Sequence, residues 1–165
     1  MNPILRETIN AVRAQGFDLF IFPCRSPWGF SGQAFTSAFT RHINVFKGAD
    51  EIETAFVIWH EVGHLIGHLG YNSTPHWQDE WRCERFALRM LHGTVSTKEY
   101  ERLEELARAH IRPLLQGMID DEIWNHVNLE AADWARCKIP LKSRCHLLEM
   151  EDEYGQHRMK EITEL

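Results

Sequence analysis

The sequence predicts an α+β fold in which a small antiparallel sheet lies on one side of a set of helices. Three observations carry this. The order along the chain is helix, strands, then helices. The run HINVF, residues 42–46, alternates apolar Ile43 and Val45 with polar His42 and Asn44, the period of a half-buried strand. The run FVIWHEVGHLIGH, residues 56–68, is apolar almost all round, as a helix in the centre of a fold should be. The chain has 165 residues, 44% of them apolar, which suits one domain with a real core.

Each element has its own signal. Ile4, Leu5, Ile9 and Val12 recur at helical spacing and predict an amphipathic helix over residues 3–15, stopped by Gly16. FDLFIF then reads as a buried strand that Pro23 ends. Residues 25–40 mix Gly, Ser and Pro with aromatics and predict a turn and a short strand or hairpin. HINVF is the next strand. KGAD is a turn, and Asp50 can cap a second helix running from about Glu51 to His68. GYNSTP is a loop by composition. A third helix is expected over about His76 to Leu91. Ser96 with Glu99 forms a capping box for a fourth, which reaches about Gly117 and carries Pro113 inside it. Asp120 is read as the cap of a fifth helix ending near Cys137. The sequence divides into a core over about residues 1–95 and a helical extension over about 96–165.

Bulk properties narrow the function. A formal net charge of −6 argues against broad nucleic-acid binding, which needs a basic face. No apolar run approaches the roughly 20 residues needed to cross a bilayer, and MNPILRETINAVRAQG lacks the uninterrupted apolar core of a secretion signal. A cytoplasmic location and no membrane partner are therefore expected. Cys24, Cys83, Cys137 and Cys145 form no CxxC pair, which suits free thiols in a reducing compartment.

The central helix poses a chemical question. An unpaired polar group in apolar surroundings costs roughly 2–7 kcal/mol, yet His60, Glu61 and His64 stand among Val57, Ile58, Trp59, Val62, Leu65 and Ile66. His60 and His64 are four apart, so both rings stand on one helix face and can grip one ion. Glu61 points off that face and can reach a water bound to the ion, as the general base of an HExxH site. Gly63 leaves space for another backbone or a ligand. The structural alternative is a pair of hydrogen-bonded core histidines with Glu61 at the surface.

Catalytic zinc usually takes three protein ligands and one water. The extended pattern HExxHxxGxxH supplies no third ligand, because Gly70 stands where its last His would be. A carboxylate from the third helix is the other route, and QDEWRCERFAL offers Asp79, Glu80 and Glu84. Glu80 and Glu84 share a helix face. One can bind the ion while the other orients a ligand histidine through its free N–H. His68 continues the four-residue spacing, but three histidines along one straight helix span about 12 Å, too far for one ion. It reads better as a helix-terminal residue favoured by the macrodipole. His42 and His76 read as ordinary surface or loop residues, each near enough in sequence to face a cleft.

HINVF, then AFVIWHEVGHLIGH, then EWRCERFALRML together resemble the ImmA/IrrE family of metallopeptidases. Those proteins have a strand, an HExxH helix and a further helix reading roughly E-x-x-A-(N/D)-x-F-A. The resemblance covers about residues 41–91. Glu80 falls on the family's ligand glutamate, Glu84 on its Asn or Asp, and Phe86-Ala87 on its F-A pair. Cys83 stands in place of alanine, and RMLHG in place of the family's apolar ending with proline. The resemblance implies a zincin-like core, with the small sheet packed on the HExxH helix and further helices C-terminal. It implies hydrolysis of peptide bonds in a protein substrate. Known members cut repressors of the helix-turn-helix type. This chain has no basic recognition helix, so such a repressor is expected as a separate partner.

The expected chemistry is metal-assisted hydrolysis. The ion lowers the pKa of water from 15.7 towards about 7. Glu61 takes the proton and passes it to the leaving amine. Zinc is the expected cofactor, although His and carboxylate ligands also accept manganese or iron(II). Tyr71 and His76, between the two ligand helices, are candidate oxyanion donors, with loop packing as their structural alternative. A rival from another class is a non-catalytic, metal-stabilised protein-binding module, which a closed four-ligand site including His68 or His76 would favour. A third reading uses the basic run CKIPLKSRCH. There Cys137, Cys145 and His146 suggest a second metal site, against which the missing CxxC spacing weighs.

Overall fold

The computed structural model describes residues 1–24, 32–36, 41–67, 76–123, 127–141 and 143–144. It is α+β and mostly helical: α1 Pro3–Ala14, β1 Asp18–Phe22, β2 Gly32–Thr36, β3 Arg41–Phe46, α2 Glu51–Gly67, α3 His76–Leu91, α4 Thr97–Asp120 and α5 Leu129–Ala135. The chain divides into two compact units, Met1–Ala107 and Arg108–Leu165, with the division inside α4. Among the described residues no helix is long and apolar enough to cross a membrane.

In the first unit, α1 begins where the Asn2 side chain accepts a bond from the Ile4 N–H and Pro3 occupies the first turn, a position where the missing proline donor costs nothing. Leu5, Thr8 and Val12 form its buried stripe. Gly16, at φ +81°, releases the chain into β1 through a left-handed turn that glycine adopts without strain.

The sheet corrects one expectation. Its strand order is β1-β3-β2, with β1 parallel to β3 and β2 antiparallel to β3. The sheet is therefore mixed, not antiparallel. The chain reverses direction between β1 and β2 and again between β2 and β3, so β1 and β3 run the same way. Because β3 sits between the other two, it pairs with a parallel neighbour. Ile43 and Val45, both fully buried, turn its inner face into the core and pin its register against both neighbours.

Asp50 caps α2 as its sequence suggests: its side chain accepts from the Glu53 N–H at 2.8 Å, while Glu53 accepts from the Ala49 N–H at 3.0 Å. Arg102 from α4 lies 2.8 Å from Asp50 and 3.3 Å from Glu53. Ile52, Ala55, Phe56, Val57, Ile58, Trp59 and Val62 are all buried. The helix touches α1, α3, β2 and β3, which is why an almost wholly apolar surface suits it.

The α2–α3 contact is close because of one glycine. A Cβ added at Gly63 would lie 3.1 Å from Cys83 Cα and 3.2 Å from Cys83 Sγ. The space that Gly63 leaves is filled by the backbone of α3, with Trp59 and Phe86 meeting edge to face nearby at 6.2 Å. Gly63→Val is expected to push the two helices apart and lower the unfolding free energy by about 1–3 kcal/mol, the usual cost of overpacking. Urea titration of the metal-free protein measures it.

Ser96 and Glu99 make the capping box at the start of α4: Glu99 accepts from the Ser96 N–H at 3.1 Å, and Ser96 Oγ accepts from the Glu99 N–H at 3.3 Å. The helix then runs past Gly117. Ile111, Leu115 and Ile119, spaced by four, are all buried and carry the apolar stripe onward. Asp120 consequently ends α4, accepting from Gln116 Nε2 at 2.9 Å, and does not cap α5. That role belongs to Asn128, whose side chain accepts from the Ala131 N–H at 2.9 Å. In this second unit Arg112 donates to the Ala135 carbonyl at 2.8 Å, at the end of α5.

Candidate metal centre

Two neighbouring helices build the centre. From α2 come His60, Glu61 and His64; from α3 come Asp79, Glu80 and Glu84. His60, Glu61, Glu80 and Glu84 are buried, and His64 is half-buried. Their spacing on α2 sets the two imidazoles one turn apart, with ring centroids at 4.9 Å.

The ring nitrogens sort into two sets. His60 Nδ1 lies 3.4 Å from Glu84 Oε1, and His64 Nδ1 donates to Asp79 Oδ2 at 3.1 Å. A carboxylate only accepts, so a proton on each Nδ1 satisfies these two contacts and, in the neutral ring, leaves Nε2 free to bind a metal. The two Nε2 atoms face one another at 3.1 Å. Glu80 closes the triangle, with Oε2 3.2 Å from His60 Nε2 and Oε1 3.6 Å from His64 Nε2.

Two imidazole nitrogens and both oxygens of one carboxylate thus converge, an arrangement that stabilises positive charge between them. In a tetrahedral zinc site with bonds of about 2.0–2.1 Å, ligand atoms lie roughly 3.3–3.4 Å apart. The observed 3.1, 3.2 and 3.6 Å bracket that spacing. The donor set, two imidazoles and one carboxylate, is one that zinc accepts. By both distance and chemistry the residues fit the ion.

Without a metal, protons supply the positive charge. Burial disfavours a charged ring, but the Glu80 and Glu84 carboxylates outweigh it and push His60 up to about 10. His64 rises for the same reason, with Glu80 outweighing burial and the repulsion of His60. Burial alone would raise Glu80, yet the two imidazoles hold it well below the usual carboxylate range. Metal binding would displace these protons.

Glu80 and Glu84, which one helix face presents together, separate clearly. Glu80 faces both Nε2 atoms, while Glu84 faces the far nitrogen of His60. Glu61 is 5% exposed and acts electrostatically on both rings. His76 is exposed and sits at the rim, with Nδ1 3.6 Å from Glu80 Oε1. His42 is elsewhere, on β3, 3.7 Å from Asp18. His68 and Tyr71 lie outside the described residues, as do Cys145 and His146. Cys24, Cys83 and Cys137 are free thiols.

Asp79 is the residue whose place the sequence conceals. It appears there as one of three nearby acids, and its contact with His64 depends on how α3 is rotated against α2. Cys83 also lies with His64 and Asp79 in a group close enough to hold an ion. However, burial and the surrounding acids push its thiol up, and a protonated thiol is a poor ligand. Compared with protein-family models, curated proteins and solved structures, the chain finds no match in any of the three.

Proposed function

We propose that the protein is a zinc-dependent endopeptidase of the ImmA/IrrE kind, with a zincin-like core, acting on a protein substrate such as a helix-turn-helix repressor. One observation carries the reading: two imidazole Nε2 atoms and the Glu80 carboxylate converge within bonding reach of a single ion, beside a buried glutamate that no ligand position requires. Among the described residues the converging ligands number three, as in catalytic zinc sites that keep a position open for water or substrate. His60, His64 and Glu80 would hold the ion.

When bound, zinc polarises the scissile carbonyl and makes water a stronger acid. Glu61 supplies what the ion cannot, a carboxylate oxygen that accepts the proton from water and returns it to the leaving amine. Glu84 holds the His60 ring from behind. His76, whose Nδ1 lies 3.6 Å from Glu80 Oε1, would donate to the oxygen of the substrate carbonyl as charge develops there. A purely structural zinc site has no use for Glu61, which favours the enzyme over a metal-stabilised binding module.

The test is zinc content together with hydrolysis. Purified protein should carry about one zinc per chain, and chelation should abolish cleavage of a helix-turn-helix repressor until zinc is restored. Glu80→Ala should lose more zinc affinity than Glu84→Ala, read by competition with a chromophoric chelator. Retained affinity in Glu80→Ala with loss in Glu84→Ala would reverse the ligand assignment. A protein that takes up no zinc would overturn the reading.

A further inference from the structure

We propose that Asp79 is a positioning residue that locks His64 in the tautomer able to bind metal; this rests on the zinc reading above. Adjacent residues on a helix point about 100° apart, so Asp79 and Glu80 do not share a face. Both nonetheless reach His64, because its ring inserts between them and turns one nitrogen to each. Nδ1 donates to Asp79 Oδ2 at 3.1 Å, and Nε2 faces Glu80 Oε1 at 3.6 Å.

The His64 ring is more exposed than that of His60. His60 is deeply buried and backed by the buried Glu84. His64 is half-buried, near the C-terminal end of α2. A neutral imidazole carries its proton on either nitrogen and can bind metal through the other. With an acceptor at Nδ1, the proton stays there and the Nε2 lone pair faces His60 Nε2 and Glu80. Without it, the proton can move to Nε2 or the ring can turn over, and the triangle loses a corner. Outer partners of this sort typically change metal affinity 10- to 100-fold.

A bland explanation of Asp79 competes. It lies in the first turn of α3, where the helix dipole favours an acid. That benefit needs no contact with His64, would show in helix stability, and would leave zinc affinity unmoved.

The experiment measures zinc dissociation constants by chelator competition for wild type, Asp79→Ala and Asp79→Asn. Asn keeps an acceptor oxygen and removes the charge. Asp79→Ala should bind zinc 10- to 100-fold more weakly, and Asp79→Asn should recover most of the loss. Two-bond proton–nitrogen correlation spectra of zinc-loaded wild type should show the His64 proton on Nδ1. A His64 proton on Nε2 in that spectrum overturns the proposal without any variant. Wild-type affinity in Asp79→Ala also overturns it, as does an equal loss in Ala and Asn, which would assign the effect to charge alone. If the wild type itself binds no zinc, the zinc reading fails; if it binds and Asp79→Ala binds equally well, only the role of Asp79 fails.

Discussion

Glu61→Gln is expected to bind about one zinc per chain, like the wild type, and to lose roughly 10²- to 10⁴-fold in kcat for peptide hydrolysis, the range that general acid–base catalysis contributes. Glutamine has the shape of glutamate and still accepts hydrogen bonds, but at neutral pH it cannot take up a proton from water. The proposed ligands are His60, His64 and Glu80, which converge without Glu61, so the substitution leaves them standing. Glu61 is buried on α2, immediately after His60, and an amide can be buried there at no greater cost than a charge. The measurement is zinc content by elemental assay beside steady-state cleavage of a helix-turn-helix repressor as the proposed substrate. Cleavage by Glu61→Gln at the wild-type rate would remove Glu61 from the role of base.

His60→Ala is expected to damage both fold and metal binding. It deletes the one ring that faces Glu80 through Nε2 and Glu84 through Nδ1. Two buried carboxylates then lose a cationic partner in the metal-free protein. Breaking a buried ion pair by removing one member commonly costs about 3–5 kcal/mol. Zinc stoichiometry should fall to near zero, since two ligands remain where three converged. Thermal unfolding with and without added zinc separates the two effects. Wild-type Tm should rise with zinc, because a ligand that binds only the folded state stabilises it, and the variant's should not. A variant that melts like the metal-free wild type would show that His60 carries no structural share.

Much of this was legible before any coordinates. The limits of α3 follow from its apolar spacing, and the caps at Asp50 and Ser96 from short-range hydrogen-bonding rules. The histidine pair follows from the four-residue spacing of HExxH. What stayed hidden depends on distance along the chain. The direction in which β1 pairs with β3 depends on strand order, which no local pattern encodes. Asp120 looked like a cap because an acid before a helix suits that position, whereas the buried Ile119 shows that the previous helix had not yet ended. Glu80 and Glu84 share a face of α3, so periodicity alone could not divide their roles. The division comes from the crossing with α2, where Cys83, lying between them in sequence, meets Gly63.

That meeting point works as a gauge. With no side chain at position 63, the gap between the two helices is set there by Cys83, its backbone and its thiol together. The imidazoles stand on one jaw and the carboxylates on the other, so this gap fixes the bite available to an ion. In the proposed zinc site, enlarging residue 63 would widen this bite from a position that itself supplies no ligand.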